Sequence, residues 1–273
     1  MKLTQGKIMD LWITDPPYNV DYGNKNDFLN RTLRGNRIQQ PIKNDKKSDE
    51  DFQEMINKSF VNAETVLKKG GVFYIFHADL HGKFFRKAVD FSRLQLKQVL
   101  QWVKDNIVIG TSDYQWLNEP CLYGWKDGAG HYFSGDRKQK TVIDLPKKAF
   151  RQREDGRFEF RIAGKLYSVA PDAVLEEEIT NFLEFPKPLK SKDHPTTKPI
   201  SLWVYLIRNS SRRGENIFDT FCGSGTTIVA AEQTDRTAFC AELDPHYCDV
   251  IRRRWAEFIH GENCDWQKLT PEE

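Results

Sequence analysis

The stretch Asn216-Ile217-Phe218-Asp219-Thr220-Phe221 is a short apolar strand that runs straight into Cys222-Gly223-Ser224-Gly225-Thr226-Thr227. A glycine-rich turn after a strand and before a helix restricts a chain to α/β architectures, because strand end, helix start and ligand must approach closely there. The helix is expected from Thr226 to Gln233, and a second strand, Arg236 to Leu243, carries Glu242 to its end, 19 residues after Gly223. An acidic group at that distance suits ribose hydroxyls. The turn reads Gly-x-Gly without the third glycine of a dinucleotide fingerprint, so a nucleoside without a pyrophosphate fits it better.

A second constraint lies near the start, where the apolar run Leu11-Trp12-Ile13 ends in Asp15-Pro16-Pro17-Tyr18. Proline fixes φ at about −65° and lacks an N–H, so two in succession turn their carbonyls outward as free acceptors. Asp15 adds an acceptor and Tyr18 a stacking face. Acceptors beside an aromatic plate suit a planar ring bearing an exocyclic amine, which makes adenine and cytosine the first candidates.

Length and composition fit an α/β enzyme with a small insertion: 273 residues, 39% hydrophobic and 29% charged, with apolar runs such as Val72 to Phe76 far short of a membrane span. No charged-then-apolar leader opens the chain, and no membrane partner is expected. The five cysteines, Cys121, Cys222, Cys240, Cys248 and Cys264, are odd in number and lack Cys-x-x-Cys spacing. That argues against a disulfide framework or zinc site and for a reducing cytoplasm. The net charge of +2 conceals two basic stretches. Residues 25–47 carry Lys25, Arg31, Arg34, Arg37, Lys43, Lys46 and Lys47 against Asp27 and Asp45. Residues 147–165 carry Lys147, Lys148, Arg151, Arg153, Arg157, Arg161 and Lys165 against three acids. Alone, such stretches read as solvated loop; flanking a base-binding motif, they read as phosphate contacts.

Together, Asp15-Pro16-Pro17-Tyr18 and Asp219 to Thr227 resemble the paired motifs of the S-adenosylmethionine-dependent DNA amino-methyltransferases. The Asp-Pro-Pro-Tyr element comes first here, the order of the beta group, whose target-recognition segment lies between the two motifs. His194-Pro195-Thr196-Thr197-Lys198-Pro199 resembles the segment that precedes the cofactor loop in that group and helps form its methionine pocket. Gly70 to Phe76 and Asn118 to Trp125 resemble the strands after the catalytic motif. Members usually carry a Gly-Asp pair well before the catalytic strand, its Asp meeting the adenine of the cofactor. This chain begins fourteen residues before Asp15 without that pair, so either a larger protein was trimmed or another group substitutes.

The resemblance implies an α/β fold with a doubly wound, mostly parallel sheet of the methyltransferase type, circularly ordered with the catalytic motif first. Catalytic roles fall to Asp15, Pro16, Pro17 and Tyr18. S-adenosyl-L-methionine falls to Asp219, Phe221, Cys222, Gly223, Ser224, Gly225, Thr226, Thr227 and Glu242, with Lys198, Thr197 and Asp15 beside it. DNA contacts fall to Lys25, Arg31, Arg34, Arg37, Lys147, Arg151, Arg153, Arg157 and Arg161, and no metal is expected. Residues 1–145 form the catalytic half with a basic flexible loop at 23–47, residues 146–192 the target-recognition insert, and residues 193–273 the cofactor half. The implied activity is methyl transfer to N6 of adenine in DNA, because the family's first motif residue is commonly Asp in adenine enzymes and Ser in N4-cytosine enzymes. N4-cytosine methylation is the runner-up, and a catalytically lapsed DNA-binding protein is the alternative outside the class. A homodimer and a cognate restriction endonuclease are compatible with this reading, in a bacterial or phage-infected bacterial cell.

Periodicity supplies the remaining elements. Ser48 with Asp51 forms a capping box for a helix ended by Gly70-Gly71, and a strand follows at 72–76. A helix near 79–91, strands near 97–103 and 119–125, and a helix from Ile200 to Asn209 continue the alternation. The last helix opens at Asp244-Pro245, with Tyr247, Val250, Ile251, Trp255, Phe258 and Ile259 on one apolar stripe that suits the sheet or a dimer interface. Phe158 to Ile162 and Leu166 to Val169 read as a hairpin, and Ile179 to Pro188 as irregular connection. Cys222 reads as a small loop residue rather than a nucleophile, His77 and His81 as surface or DNA-facing rather than metal ligands, and Trp102, Trp116 and Trp125 as core or cleft residues.

Overall fold

The computed structural model describes residues 3–21, 24, 27, 30–31, 45–108, 113–134, 139–144, 150–152, 158–162, 165–169 and 198–270. Strand β1 (Met9–Thr14) leads through helix α1 (Asp49–Val66) to β2 (Leu67–Phe76), then through a short 3-10 turn and α2 (Gly82–Phe91) to β3 (Leu94–Val108) and β4 (Trp116–Lys126). After β5 (Val142–Asp144) and the small strands β6 (Phe150–Gln152), β7 (Phe158–Ile162) and β8 (Lys165–Val169) come α3 (Ile200–Ser210), β9 (Asn216–Asp219) and α4 (Thr226–Glu232). Strand β10 (Thr237–Cys240), α5 (Pro245–His260) and α6 (Trp266–Leu269) complete the described chain.

The main sheet has the order β10-β9-β1-β2-β4-β3-β5. Strands β10, β9, β1 and β2 run parallel, and β4 runs against both its neighbours. From β1 the chain winds to β2 on one side, and from β9 it winds to β10 on the other, so the winding reverses between β1 and β9. The loops leaving these adjacent strands diverge, and in open α/β sheets the resulting crevice at the carboxyl edge is where ligands bind.

Both faces of the sheet are covered, which is why β1 is almost continuously apolar rather than alternating. Trp12, Phe73 and Ile75 point to a layer formed by Phe52, Ile56 and Phe60 of α1 with Phe84 and Phe85 of α2. Leu11, Ile13, Tyr74 and Phe76 point the other way, against Leu202, Trp203, Leu206 and Ile207 of α3 and Ala230 of α4. Trp12 meets Phe60 edge to face at 4.9 Å between ring centroids, the geometry an aromatic quadrupole favours.

Ser48 caps α1 as expected, its Oγ accepting from Asp51 N–H at 3.1 Å. The helix nevertheless stops at Val66, and Gly70-Gly71 lie inside β2 rather than ending the helix. Gly70 sits at φ +72°, where a Cβ would strike the Gly130 backbone, and the pairing with β1 slips from Met9 opposite Leu67 to Leu11 opposite Val72. The glycines thus build a bulge in a strand. The strands expected at 97–103 and 119–125 are longer, whereas β9 and β10 are shorter and leave Thr220, Phe221 and Glu242 in loops. The expected hairpin is present as β7 and β8, and β6 adds a third strand to that separate sheet. On α5, Tyr247 and Val250 are buried, but Phe258 and Ile259 are 43% and 41% exposed, because the last turn is less covered than the first. No helix among the described residues is long and apolar enough to cross a membrane.

Candidate active site

The carboxyl ends of β1 and β9 are joined by side chains. Buried Thr14 donates its hydroxyl to Asp219 Oδ1 at 2.7 Å, and its Oγ1 lies 3.2 Å from Thr220 Oγ1. The next residue, Asp15, therefore leaves the sheet beside the start of the glycine loop. Its Oδ2 accepts from Lys198 Nζ at 2.6 Å, and its Oδ1 lies 2.5 Å from the Tyr18 hydroxyl.

A second carboxylate completes the pocket. Glu119, on β4, accepts from the same Lys198 Nζ at 2.7 Å and lies 2.5 Å from the same Tyr18 hydroxyl, while its Oε2 accepts from Lys104 Nζ at 2.8 Å. The phenol has one proton, so it donates to one carboxylate at a time and accepts from Lys198 at 3.1 Å. The side chains of Lys198 and Glu119 are 7% and 9% exposed, and that of Asp15 is 21% exposed, so of these three Asp15 is the one most open to solvent. Aromatic rings enclose the ammonium: Lys198 Nζ lies 5.4 Å from the ring centres of Tyr18 and Phe76 and 6.0 Å from that of Trp102.

These contacts set the charges. Burial pushes the Asp15 carboxyl up and Glu119 adds to the push, while Lys198 pulls the other way. Burial acts on Glu119 too, but Lys198 and Lys104 together hold it at about 2. Burial would strip the proton from Lys198, yet Asp15 and Glu119 hold it on and raise the ammonium. The Tyr18 phenol is pushed well up by burial and by both carboxylates, so it stays protonated.

Across the crevice, Asp219 organises the glycine loop. Its Oδ2 accepts from Thr227 Oγ1 at 2.5 Å and its Oδ1 from Phe221 N–H at 3.0 Å, which turns the chain out of β9. Burial pushes this carboxyl up to about 6 despite its three donors. Trp203 Nε1 donates to Thr227 Oγ1 at 2.8 Å, and its ring stacks on Phe76 at 5.0 Å, so the loop is braced against the wall of the Asp15 pocket. Gly225 opens α4 at φ +86°, where a Cβ would lie 3.0 Å from Ile251 Cγ1. Glu242 accepts from the N–H groups of Gly223 at 2.8 Å and of Leu243 and Asp244 at 2.9 Å each. A partly exposed carboxylate retains lone pairs beyond three N–H donors, so two glycines at positive φ beside Glu242 fit a nucleoside with ribose hydroxyls.

The structure thus gathers Asp15, Pro16, Pro17 and Tyr18 on one side of the crevice and Asp219 to Thr227 with Glu242 on the other. Lys198 spans both, its ammonium on Asp15 and its carbonyl 3.5 Å from Thr226 Oγ1. Asn19, at φ +59°, accepts from Lys47 N–H at 2.7 Å and donates to Lys47 O at 3.1 Å, so the last residue of the basic segment is tied to the chain just after Tyr18. Arg31 is exposed and pairs with Asp27 at 2.7 Å. Arg151 and Arg161 lie on β6 and β7, whereas Lys25, Arg34, Arg37, Lys147, Arg153, Arg157 and Thr197 lie outside the described residues. The Cys222 thiol is buried, and its contact with Cys240 together with burial pushes it well up, which denies it the thiolate a nucleophile needs.

His77 is not on the surface as expected: it is buried and stacked on Phe85 at 5.2 Å. No cluster of metal-ligating side chains occurs among the described residues. Trp102 and Trp125 are half-buried, and Trp116 is 39% exposed at the start of β4. Glu119, Lys104 and Thr14 lie outside the catalytic and cofactor motifs of the sequence. A carboxylate directly ahead of the apolar run Pro120-Cys121-Leu122-Tyr123 was the available sign, since acids are seldom buried unless paired.

Known proteins resemble this chain in sequence and in fold. The DNA adenine methyltransferase YhdJ of Escherichia coli (strain K12) is 24% identical over 266 residues, covering 93% of this chain and 78% of its own. The solved complex of M1.HpyAVI with S-adenosylmethionine superposes with a TM-score of 0.57 at 19% identity, covering 92% of this chain and 90% of its own. The cytosine-N4-specific PvuII DNA methyltransferase superposes with a TM-score of 0.58 at 14% identity, covering 96% of this chain and 83% of its own. The model of the DNA methylase family matches residues 9–253, so the chain belongs to the N6/N4 DNA methyltransferases, enzymes whose methyl donor is S-adenosylmethionine.

Proposed function

We propose that this methyltransferase acts on N6 of adenine in DNA. The observation that carries the reading is the Asp15 carboxylate at the open edge of the sheet, fixed by Lys198 and Tyr18 next to the glycine loop. Asp at the first motif position favours adenine, and the relative YhdJ is named an adenine methyltransferase. The second reading, N4 of cytosine, draws on the likeness to the cytosine-N4-specific PvuII enzyme.

The target amine is a weak nucleophile because its lone pair is delocalised into the ring. Asp15 and the Pro16 carbonyl accept its N–H groups, favour a pyramidal nitrogen and stabilise the positive charge that grows there. When bound, S-adenosylmethionine supplies a methyl group on a sulfonium, open to in-line attack without a covalent enzyme intermediate. The loop from Phe221 to Thr227 with Glu242 holds the nucleoside part, and Thr197 and Lys198 border the methionine part. Inside a duplex the amine is inaccessible, so the base is flipped out, and stacking on Tyr18 offsets part of an unstacking cost of a few kcal/mol. Alignment of the two partners contributes much of the barrier reduction. Residues 146–192 serve target recognition, and the basic residues from Lys25 to Arg37 and from Lys147 to Arg161 meet DNA phosphates.

Incubation with unmethylated plasmid and S-adenosylmethionine, then nucleoside mass spectrometry, tests the base. N6-methyladenine is expected. N4-methylcytosine establishes the second reading instead.

A further inference from the structure

Glu119 is held by the same ammonium and the same phenol as Asp15, and nothing in the amine chemistry above uses it. We propose that Glu119 is a positioning residue: by sharing Lys198 and Tyr18 with Asp15, it leaves the Asp15 carboxylate ionised but only partly neutralised, able to take the proton that the methylated amine releases. This rests on the amino-methyltransferase reading, but not on which base is modified.

The step balances. The amine nitrogen forms a bond to the methyl carbon as the sulfur–carbon bond breaks and its electron pair stays on sulfur. The nitrogen, now carrying two hydrogens, the methyl and a positive charge, passes one proton to Asp15. Asp15 becomes a neutral acid and, as the more solvent-accessible of the two carboxyls, returns the proton to water after product leaves.

The geometry explains why a second carboxylate matters. A buried ammonium facing Asp15 alone would engage it in a strong charge-assisted pair and blunt it as an acceptor. Here the ammonium divides itself at 2.6 and 2.7 Å between two carboxylates. Lys104, at 2.8 Å on the far oxygen of Glu119, keeps that residue anionic, so the proton on offer goes to Asp15. The other titratable groups that sense the pocket are Asp219 at the end of the neighbouring β9, and Cys121 and His77, whose thiol and imidazole burial keeps neutral.

The test uses the full chain labelled with ¹³C at aspartate side-chain carboxyls, Asp15 being assigned with Asp15→Asn. Removing the negative charge in Glu119→Gln moves the Asp15 titration to lower pH; removing the positive charge in Lys198→Met moves it to higher pH. Glu119→Gln also lowers kcat by at least about tenfold, a part of the roughly hundredfold or more that a positioned proton acceptor contributes, with KM for DNA and cofactor affinity by calorimetry changed less than threefold. Lys104→Met, which touches neither Asp15 nor Tyr18, moves the titration to higher pH and serves if Glu119→Gln does not fold. An unmoved Asp15 titration in both Glu119→Gln and Lys104→Met, shifts of the same sign in Glu119→Gln and Lys198→Met, or a loss confined to KM overturns the proposal while leaving methylation intact. Failure of the unaltered protein to methylate any DNA sinks the underlying reading and the proposal with it.

Discussion

Replacing Asp219 by asparagine is expected to remove a downward slope in folding stability between about pH 4 and pH 6. Asp219 is 2% exposed, and its three donors, Thr14, Thr227 and the Phe221 N–H, do not recover what the carboxylate loses in leaving water. Its carboxyl accordingly moves from 3.8 to about 6. A carboxyl raised on folding binds its proton more tightly in the native state. Its contribution is full below the unfolded value and is lost as pH rises through the folded one. Two units at about 1.4 kcal/mol each amount to roughly 3 kcal/mol. Asparagine keeps the shape and one oxygen for Thr14 and Phe221 but does not titrate. Urea unfolding followed by tryptophan fluorescence, from pH 4 to 7, reads the difference between the two proteins. That difference is expected to shift by about 3 kcal/mol against the wild type across the window. Glu119, held at about 2, titrates mainly below this range and is common to both proteins. Parallel stability curves for the two proteins would refute the reasoning.

Gly225→Ala forces a side chain into a left-handed backbone 3.0 Å from Ile251, so thermal unfolding is expected to show a loss of about 1–3 kcal/mol, with weaker cofactor binding. Gly124→Ala places a methyl against the Gln95 carbonyl and 2.7 Å from Phe73 Cζ, between β3 and β4; chemical denaturation is expected to show a loss of about 3 kcal/mol or more. Cys222→Ser alters one hydrogen bond and leaves the chemistry untouched, so turnover is expected to fall by less than about tenfold, whereas a covalent role would abolish it.

Much of the fold was legible because strands buried on both faces announce themselves as apolar runs, as in Leu11 to Ile13, and because Ser48 and Asp244-Pro245 mark helix starts. The glycine pair at 70–71 misled because a bulge and a helix stop share one sequence sign, and only the partner strand decides between them. The two motif halves of the site were readable as strand ends. Glu119 and Lys104 were not, since what brings them to the pocket is an antiparallel strand inserted beside β2, and that topology has no local sign. His77 was misplaced for a related reason: its burial comes from α2 folding back over it, with Phe85 against the ring.

The central claim, that the Asp15 pocket is where the methyl group is transferred, is tested most directly by comparing the unaltered protein with Asp15→Ala, using tritiated S-adenosylmethionine and unmethylated DNA. Label is expected in DNA with the former and none above background with the variant, at cofactor affinities within about threefold by calorimetry. Retained transfer by Asp15→Ala would contradict the account.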